Sequence, residues 1–324
     1  MLSWLIDRFS KQGTLGRYSS FVCRAADTEP GALRVMFFGV STLLFTDGET
    51  SILVDGFFTR PGLRKIIFEK IGPDEDLITT GLADGGVRNL AAVIVMHSHY
   101  DHVLDAPAVV KRFPNCVLIG SESTARIARG YHLSEDRICV DDGEKKPFGR
   151  FTVRLLPSPH SPIPWLLRLG IRRILLDGPV RQQVQPPACV SRFRNGCCYS
   201  LLIQHDDKSI LVQASGGFQP GAFKDESADV VLLGVGTLGK MPSSYLDNYW
   251  HEVVETISAK RIFPIHWDDL TRPVDRPLVP IPLADNFDRT MRFLIKRAGE
   301  TGRQIRLMRP FETIDPYADW EQLN

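Results

Sequence analysis

Short apolar runs broken by Gly, Pro, Asp and Ser alternate along this chain with stretches of helical period. After a polar lead-in to about residue 32, three β segments are expected, from Leu33 to Gly39, Ser41 to Thr46 and Ser51 to Val54. Asp47-Gly48 marks a hairpin between the last two. A helix is expected from Leu63 to Ile71, beyond Pro61. The continuous run Ala91 to Met96 reads as a buried strand, and a helix from about Val103 to Phe113 follows, with Pro107 tolerated near its first turn. Further strands are expected at Cys116 to Ile119, Phe151 to Leu156 and Asp229 to Leu233, and a helix from Ser121 to Tyr131. A hairpin joins Tyr199–Ile203 to Ile210–Gln213 through His205-Asp206-Asp207-Lys208. Trp250, Val253, Val254 and Ile257 have the spacing of an amphipathic helix face, which leads to a strand from Arg261 to Pro264. Phe287, Met291, Leu294 and Ile295 share one face of a last helix, and Gln304 to Met308 closes as a strand. The alternation predicts an α/β (α+β) fold of two sheets with helices outside.

Directly behind the Ala91–Met96 run stand His97-Ser98-His99-Tyr100-Asp101-His102. Three imidazoles and a carboxylate at the C-terminal edge of a buried strand point to a metal site. Neutral imidazoles and a carboxylate suit zinc, iron or manganese. His160 in Ser158-Pro159-His160 and His266 behind Arg261–Ile265 also end strands, so loops gathered at one sheet edge would bring them to the same place. His132, His205 and His251 sit in turn, hairpin and helix-boundary contexts that argue against ligation. Asp55 leaves the third strand either as a turn former or as a group that orients a metal ligand.

Composition adds little. With 324 residues, 43% hydrophobic and 24% charged, the chain has the makeup of a globular protein with a large core. A formal net charge of +1 and the lack of an aromatic-basic stripe argue against nucleic acid as a partner. Six cysteines without CxxC spacing read as reduced thiols. Without a signal-like leader or a bilayer-length apolar run, a cytoplasmic location is expected.

One stretch departs from this rhythm. Residues 161–196 carry five prolines and six arginines against a single acid, Asp177. Trp165, Arg168, Arg172 and Arg173 belong to an apolar and basic segment immediately after His160. It reads either as a lid over the site, able to meet an anionic headgroup or a membrane surface, or as a packed surface excursion.

The strand–HSHYDH–helix unit, the later Ser158-Pro159-His160-Ser161 and the closing Pro264-Ile265-His266-Trp267 together resemble the metallo-β-lactamase superfamily over roughly residues 33 to 308. The HxHYDH and PIHW flavours are similar to the branch of ascorbate-phosphate lactonases and N-acylphosphatidylethanolamine phospholipase D. This resemblance implies a four-layer αββα sandwich spanning 33–324, preceded by a 1–32 extension and carrying the 161–196 insertion. It also implies that His97, His99 and His160 hold a first metal, that Asp101, His102 and His266 hold a second, and that Asp55 supports the ligand loop.

The chain also departs from the family. The bridging aspartate expected behind a hairpin strand is replaced by Ser215 in Ala214-Ser215-Gly216-Gly217. A neutral hydroxyl is a poor ligand and leaves two cations less well neutralised. The site would then be mononuclear, be completed by another carboxylate such as Asp268, or be catalytically silent. The leading expectation is a hydrolase holding one or two Zn2+ ions, or Mn2+ or Fe2+. A metal-activated hydroxide would act on a small anionic or lipid-like ester, whether a phosphodiester, a phospholipid-like ester or a lactone. Asp101 and His102 would hold the second metal or orient that hydroxide, and Ser215 would hydrogen-bond it. The alternative is a degenerate binding protein that uses the basic, apolar insertion for peripheral membrane contact or an acidic ligand. Redox chemistry at a single iron stays open.

Overall fold

The computed structural model describes residues 13–25, 29, 31–162, 176–281 and 284–318. Its strands are β1 (Arg34–Gly39), β2 (Thr42–Thr46), β3 (Ser51–Val54), β4 (Leu90–Ile94), β5 (Val117–Gly120), β6 (Ile138–Val140) and β7 (Lys146–Phe148). They continue as β8 (Phe151–Pro157), β9 (Tyr199–His205), β10 (Lys208–Gln213), β11 (Val230–Gly234), β12 (Arg261–Ile265), β13 (Gln304–Ile305) and β14 (Thr313–Ile314). One sheet has the order β14-β1-β2-β3-β4-β5-β6 and the other β13-β12-β11-β10-β9-β8-β7. Each is part antiparallel and part parallel. β3, β4, β5 and β6 run parallel in the first, as do β10, β11, β12 and β13 in the second.

Period-two alternation explains why the strands of the first sheet are apolar on both faces. Val35, Phe37, Leu43, Phe45, Ile52, Val54, Ala92 and Ile94 enter the core shared with the second sheet. Their neighbours Phe38, Leu44, Leu53, Val93 and Val95 enter a separate core beneath the helices Glu75–Asp84, Ala106–Lys111 and Glu122–Gly130. A strand buried on both sides reads as a continuous apolar run. The helices Ser243–Trp250 and Phe287–Thr301 cover the outer face of the second sheet through Leu246, Tyr249, Trp250, Met291 and Leu294. Two facing sheets flanked by helices form the αββα sandwich.

Several local expectations need correction. The helix expected over 103–113 is two short helices, Tyr100–Val103 and Ala106–Lys111, separated by Leu104-Asp105 because Pro107 begins a new helical turn. The apolar face at 250–257 continues Ser243–Trp250 as one wide π turn, His251–Glu255. Only Gln304–Ile305 of the final strand pairs with β12. β7, β14 and the helix Glu75–Asp84, whose N-terminus Asp74 caps by accepting from Leu77 N–H, carry too weak a pattern to foresee. His205 is the buried last residue of β9 and not part of the turn. Within the N-terminal extension, Tyr18 packs edge-on against Phe287 and donates to Asp288, so the described part lies against the sandwich. Trp165, Arg168, Arg172 and Arg173 fall outside the described residues.

Candidate metal centre

The parallel strands of both sheets end at the same rim of the sandwich, and the loops that leave them there carry the polar side chains. β4 delivers Met96 and then His97 to His102; β8 delivers His160, β10 Ser215 and β12 His266. His97, His99 and His160 present ring nitrogens that all lie within 4.8 Å of one another, and the ligand atoms of Asp101, His102 and His266 form a second such group. Each group takes two members from the first sheet and one from the second. All six expected ligands are therefore brought together, three and three.

Hydrogen bonds fix the tautomers. His160 Nδ1–H donates to its neighbour's carbonyl, Ser161 O, at 2.8 Å, and His99 Nε2–H donates to Leu176 O at 3.4 Å. A carbonyl only accepts, so the opposite nitrogens, His160 Nε2 and His99 Nδ1, keep their lone pairs. His99 Nδ1 lies 3.1 Å from His97 Nε2. His102 Nδ1–H donates to Asp55 Oδ2 at 2.7 Å, which frees His102 Nε2, 3.5 Å from Asp101 Oδ2. His266 Nε2 lies 3.4 Å from the same oxygen.

Burial pushes His97 well below the ordinary imidazole pKa, with the neighbouring imidazoles adding to the effect. His99 is pushed down to about 3 for the same reasons, and His160 is lowered chiefly by burial. These rings are held neutral, as ligation demands. Burial alone would raise Asp101, but His102 and His266 beside it hold its carboxyl well below the usual carboxylate range. Asp101 Oδ1 and His102 Nε2 are shielded from solvent and have no hydrogen-bond partner among the described residues. Leaving such atoms unpaired costs about 1–3 kcal/mol each, so the donor set fits a cation.

Asp55 is buried and tied to the ligand loop. Its Oδ1 accepts from Met96 N–H at 2.8 Å, and its Oδ2 accepts from Ser41 O–H at 2.5 Å and from His102. Ser215 Oγ accepts from Ser161 N–H at 2.8 Å, on the loop of His160. Gly217 explains how the two loops come so close. A Cβ there would stand 2.1 Å from Pro159 O, so only glycine permits the approach.

Asp268 is committed elsewhere. Its Oδ1 accepts from Val40 N–H and its Oδ2 from Arg60 Nη1, each at 2.7 Å. Both of its oxygens thus serve the loop that carries His266, so they are engaged away from any bridging role. Sequence reasoning missed Arg60 and Ser41. A lone cation in the otherwise apolar Phe57-Phe58-Thr59-Arg60-Pro61 was the available signal for Arg60, while a single serine gives none. The three remaining histidines stay apart from the site: His132 is exposed, His251 is exposed and pairs with Glu255, and His205 is buried against Asp47.

His99, Asp101, His160, Ser215, Thr237 and His266 open into a cavity of about 180 Å3. Leu63, Ile66, Leu270, Ile281 and Ala284 make the rest of its wall largely apolar.

Residues 35–179 match the family model described as the metallo-β-lactamase superfamily. A metal-dependent hydrolase of Heliobacterium modesticaldum is 27% identical over 129 residues, which cover 40% of this chain and 46% of that relative, so less than half of its length is matched. Among solved structures, a metal-dependent hydrolase from Veillonella parvula, so described with reservation, superposes with a TM-score of 0.52 at 14% identity, covering 88% of this chain and 99% of that one. An isothiocyanate hydrolase from Delia radicum gut bacteria gives 0.51 at 14% identity, covering 87% and 98%. The diiron β-hydroxylase CmlA of Streptomyces venezuelae gives 0.50 at 12% identity, covering 89% of this chain and 54% of CmlA. At such identities these likenesses establish the fold alone.

Proposed function

From the premise that this chain is of the metallo-β-lactamase superfamily, we propose that it is a metal-dependent hydrolase of an anionic ester, a phosphodiester, phospholipid-like ester or lactone. One observation carries the reading. Two groups of three ligands each send two members to a single cavity, His99 and His160 from the first and Asp101 and His266 from the second, and Asp101 Oδ1 and His102 Nε2 are buried and unpartnered among the described residues. Five imidazoles and one carboxylate suit zinc first, then iron and manganese. His97, His99 and His160 would hold one ion and Asp101, His102 and His266 another. A divalent cation held there supplies Lewis-acid charge and lets water ionise near neutral pH.

The protein's own groups do the rest. Asp101, kept ionised, accepts a hydrogen bond and orients water on the cavity side. Ser215 takes the Ser161 N–H on its oxygen and keeps its own proton to donate toward a substrate oxygen. Asp55 holds His102 in one tautomer and orientation. The apolar wall excludes water and takes the body of the substrate, which places the scissile group at the rim of histidines.

Metal analysis of the purified protein together with hydrolysis of bis-p-nitrophenyl phosphate tests this. Bound metal and turnover that disappears in His97→Ala are expected. Protein that is metal-free as purified and inert after reconstitution with zinc, manganese and iron would sink the reading. It would favour a binding protein, to which Ser215 in place of a bridging carboxylate also leans.

A further inference from the structure

The helix Leu63–Phe68 is apolar on more sides than a surface helix of this length requires. Ile66 is buried, while Leu63, Ile67 and Phe68 are 54%, 48% and 78% exposed. Among the described residues only two other large hydrophobic side chains are exposed, Leu77 and Val140, and both less so, at 37% and 38%, so the exposed apolar surface is concentrated on this one turn and a half. Leu63 and Ile66 also line the metal-site cavity, so the helix forms part of its mouth. Arg64, Lys65 and Lys70 are exposed alongside, against one carboxylate, Glu69. None of these cations is ion-paired among the described residues, in contrast to the Arg129–Glu135 or Arg297–Asp247 pairs elsewhere on the surface.

An exposed apolar cluster ringed by unpaired cations and continuous with an apolar cavity has the chemistry of an anionic lipid surface. A water-soluble substrate needs no such approach. We propose that the helix Leu63–Phe68 seats the protein on an anionic bilayer, and that a substrate bearing an apolar chain enters the cavity from that surface past Leu63 and Ile66. The surface differs from the 161–196 insertion suggested by the sequence. The second half of the proposal rests on the hydrolase reading; the first half stands without it. Phe68 and Ile67 would enter the interfacial region, and Arg64, Lys65 and Lys70 would meet lipid phosphates. Basic residues near such a surface and buried apolar side chains add their effects.

The test is co-sedimentation of the whole protein with phosphatidylcholine vesicles, with and without phosphatidylglycerol, beside hydrolysis of bis-p-nitrophenyl phosphate in solution. Wild-type protein is expected to pellet with the anionic vesicles and to be released by high salt. The double variant Ile67→Ser/Phe68→Ser is expected to lose about tenfold or more in vesicle partition while hydrolysing the soluble ester as before. Arg64→Glu/Lys65→Glu is expected to abolish only the preference for anionic vesicles. Wild-type protein that stays in the supernatant, or a double variant that pellets equally well, overturns the proposal. So does a wild-type dimer in sedimentation velocity that the double variant dissolves, since the helix would then cover a second copy. Vesicle binding without ester hydrolysis overturns the hydrolase reading and leaves the lipid surface standing; hydrolysis without vesicle binding does the reverse.

Discussion

Arg60 Nη1 lies 2.7 Å from Asp268 Oδ2, and neither side chain has any exposure to solvent. The pair joins the loop behind β3 to the loop behind β12, two residues after His266. Asp268 also takes the Val40 N–H, and Val40 O accepts from His266 N–H at 2.6 Å. Val40, Arg60 and His266 all have positive φ, at 52°, 40° and 56°. Such backbone costs about 1–3 kcal/mol per residue and persists only where neighbours over-determine it. Gly39 makes room for the pair, because a Cβ there would stand 2.0 Å from Arg60 Nη2.

Asp268→Ala leaves a buried guanidinium uncompensated, and a loss of about 3–5 kcal/mol in unfolding free energy is expected. Arg60→Met/Asp268→Ala is expected to lose less than the sum of the two single changes, because no charge is then stranded. Urea denaturation of the four proteins measures both. Equal and additive losses would show that the pair carries no coupling.

Asp55→Asn keeps the shape of the side chain but offers His102 Nδ1–H a weaker acceptor and no charge. Burial lowers His102, while Asp55 and Asp101 outweigh it and raise the ring above its ordinary value. Removal of such an orienting carboxylate is expected to weaken metal binding about 10–100-fold. Competition with a fluorescent chelator, read alongside the melting temperature, separates this from unfolding.

Ser215→Asp places a carboxylate at the junction of the loops that carry His160 and Ser215. Metal retained after gel filtration is expected to rise from about one to about two equivalents per chain, because a negative charge between two cations offsets their repulsion. Two equivalents already present in the wild type would show that another group bridges them.

At the opposite end of the sandwich, Asp47 Oδ1 accepts from Glu49 N–H at 2.9 Å and Thr50 N–H at 2.7 Å, and Oδ2 lies 3.3 Å from His205 Nε2. Burial opposes the charge, but these donors and His205 prevail, and the carboxyl is held below its ordinary value. A depressed acid stabilises the fold fully above its unfolded pKa, about 3.9, and loses that contribution as pH falls through the folded value. Asp47→Ala is therefore expected to cost about 1–3 kcal/mol at neutral pH and progressively less below about pH 4. Chemical denaturation at several pH values gives the difference. A gap that widens in acid would contradict the assignment.

Much of this was legible in the chain. His97 to His102, His160 and His266 carry their meaning in residue type and position, because each ends an apolar run and parallel strands put such ends on one rim. Alternation gave β1 to β5 to within two residues or so for the same reason. Asp268 was misread because proximity to His266 in sequence says nothing about Arg60, which is more than two hundred residues away and decides where its oxygens go. Val40 and Ser41 were opaque too. Their roles depend on a backbone turn and on the spacing of two sheets, neither of which leaves a periodic trace. The pairing of Thr313–Ile314 with β1 rests on two residues and a long return of the chain.

Both ligand groups draw two members from one sheet and one from the other, so each bound ion would act as a rivet through two leaves. The seam between the sheets and the affinity for metal are then a single mechanical property. Loading the rivets stiffens the seam, and anything that lets the leaves slide is felt as metal loss. Substitutions in the core that the two sheets share, at Leu43 or Val212 for instance, should accordingly behave as metal-affinity variants as much as stability variants. In the loaded protein, slow release of the ion would report the breathing of the whole sandwich.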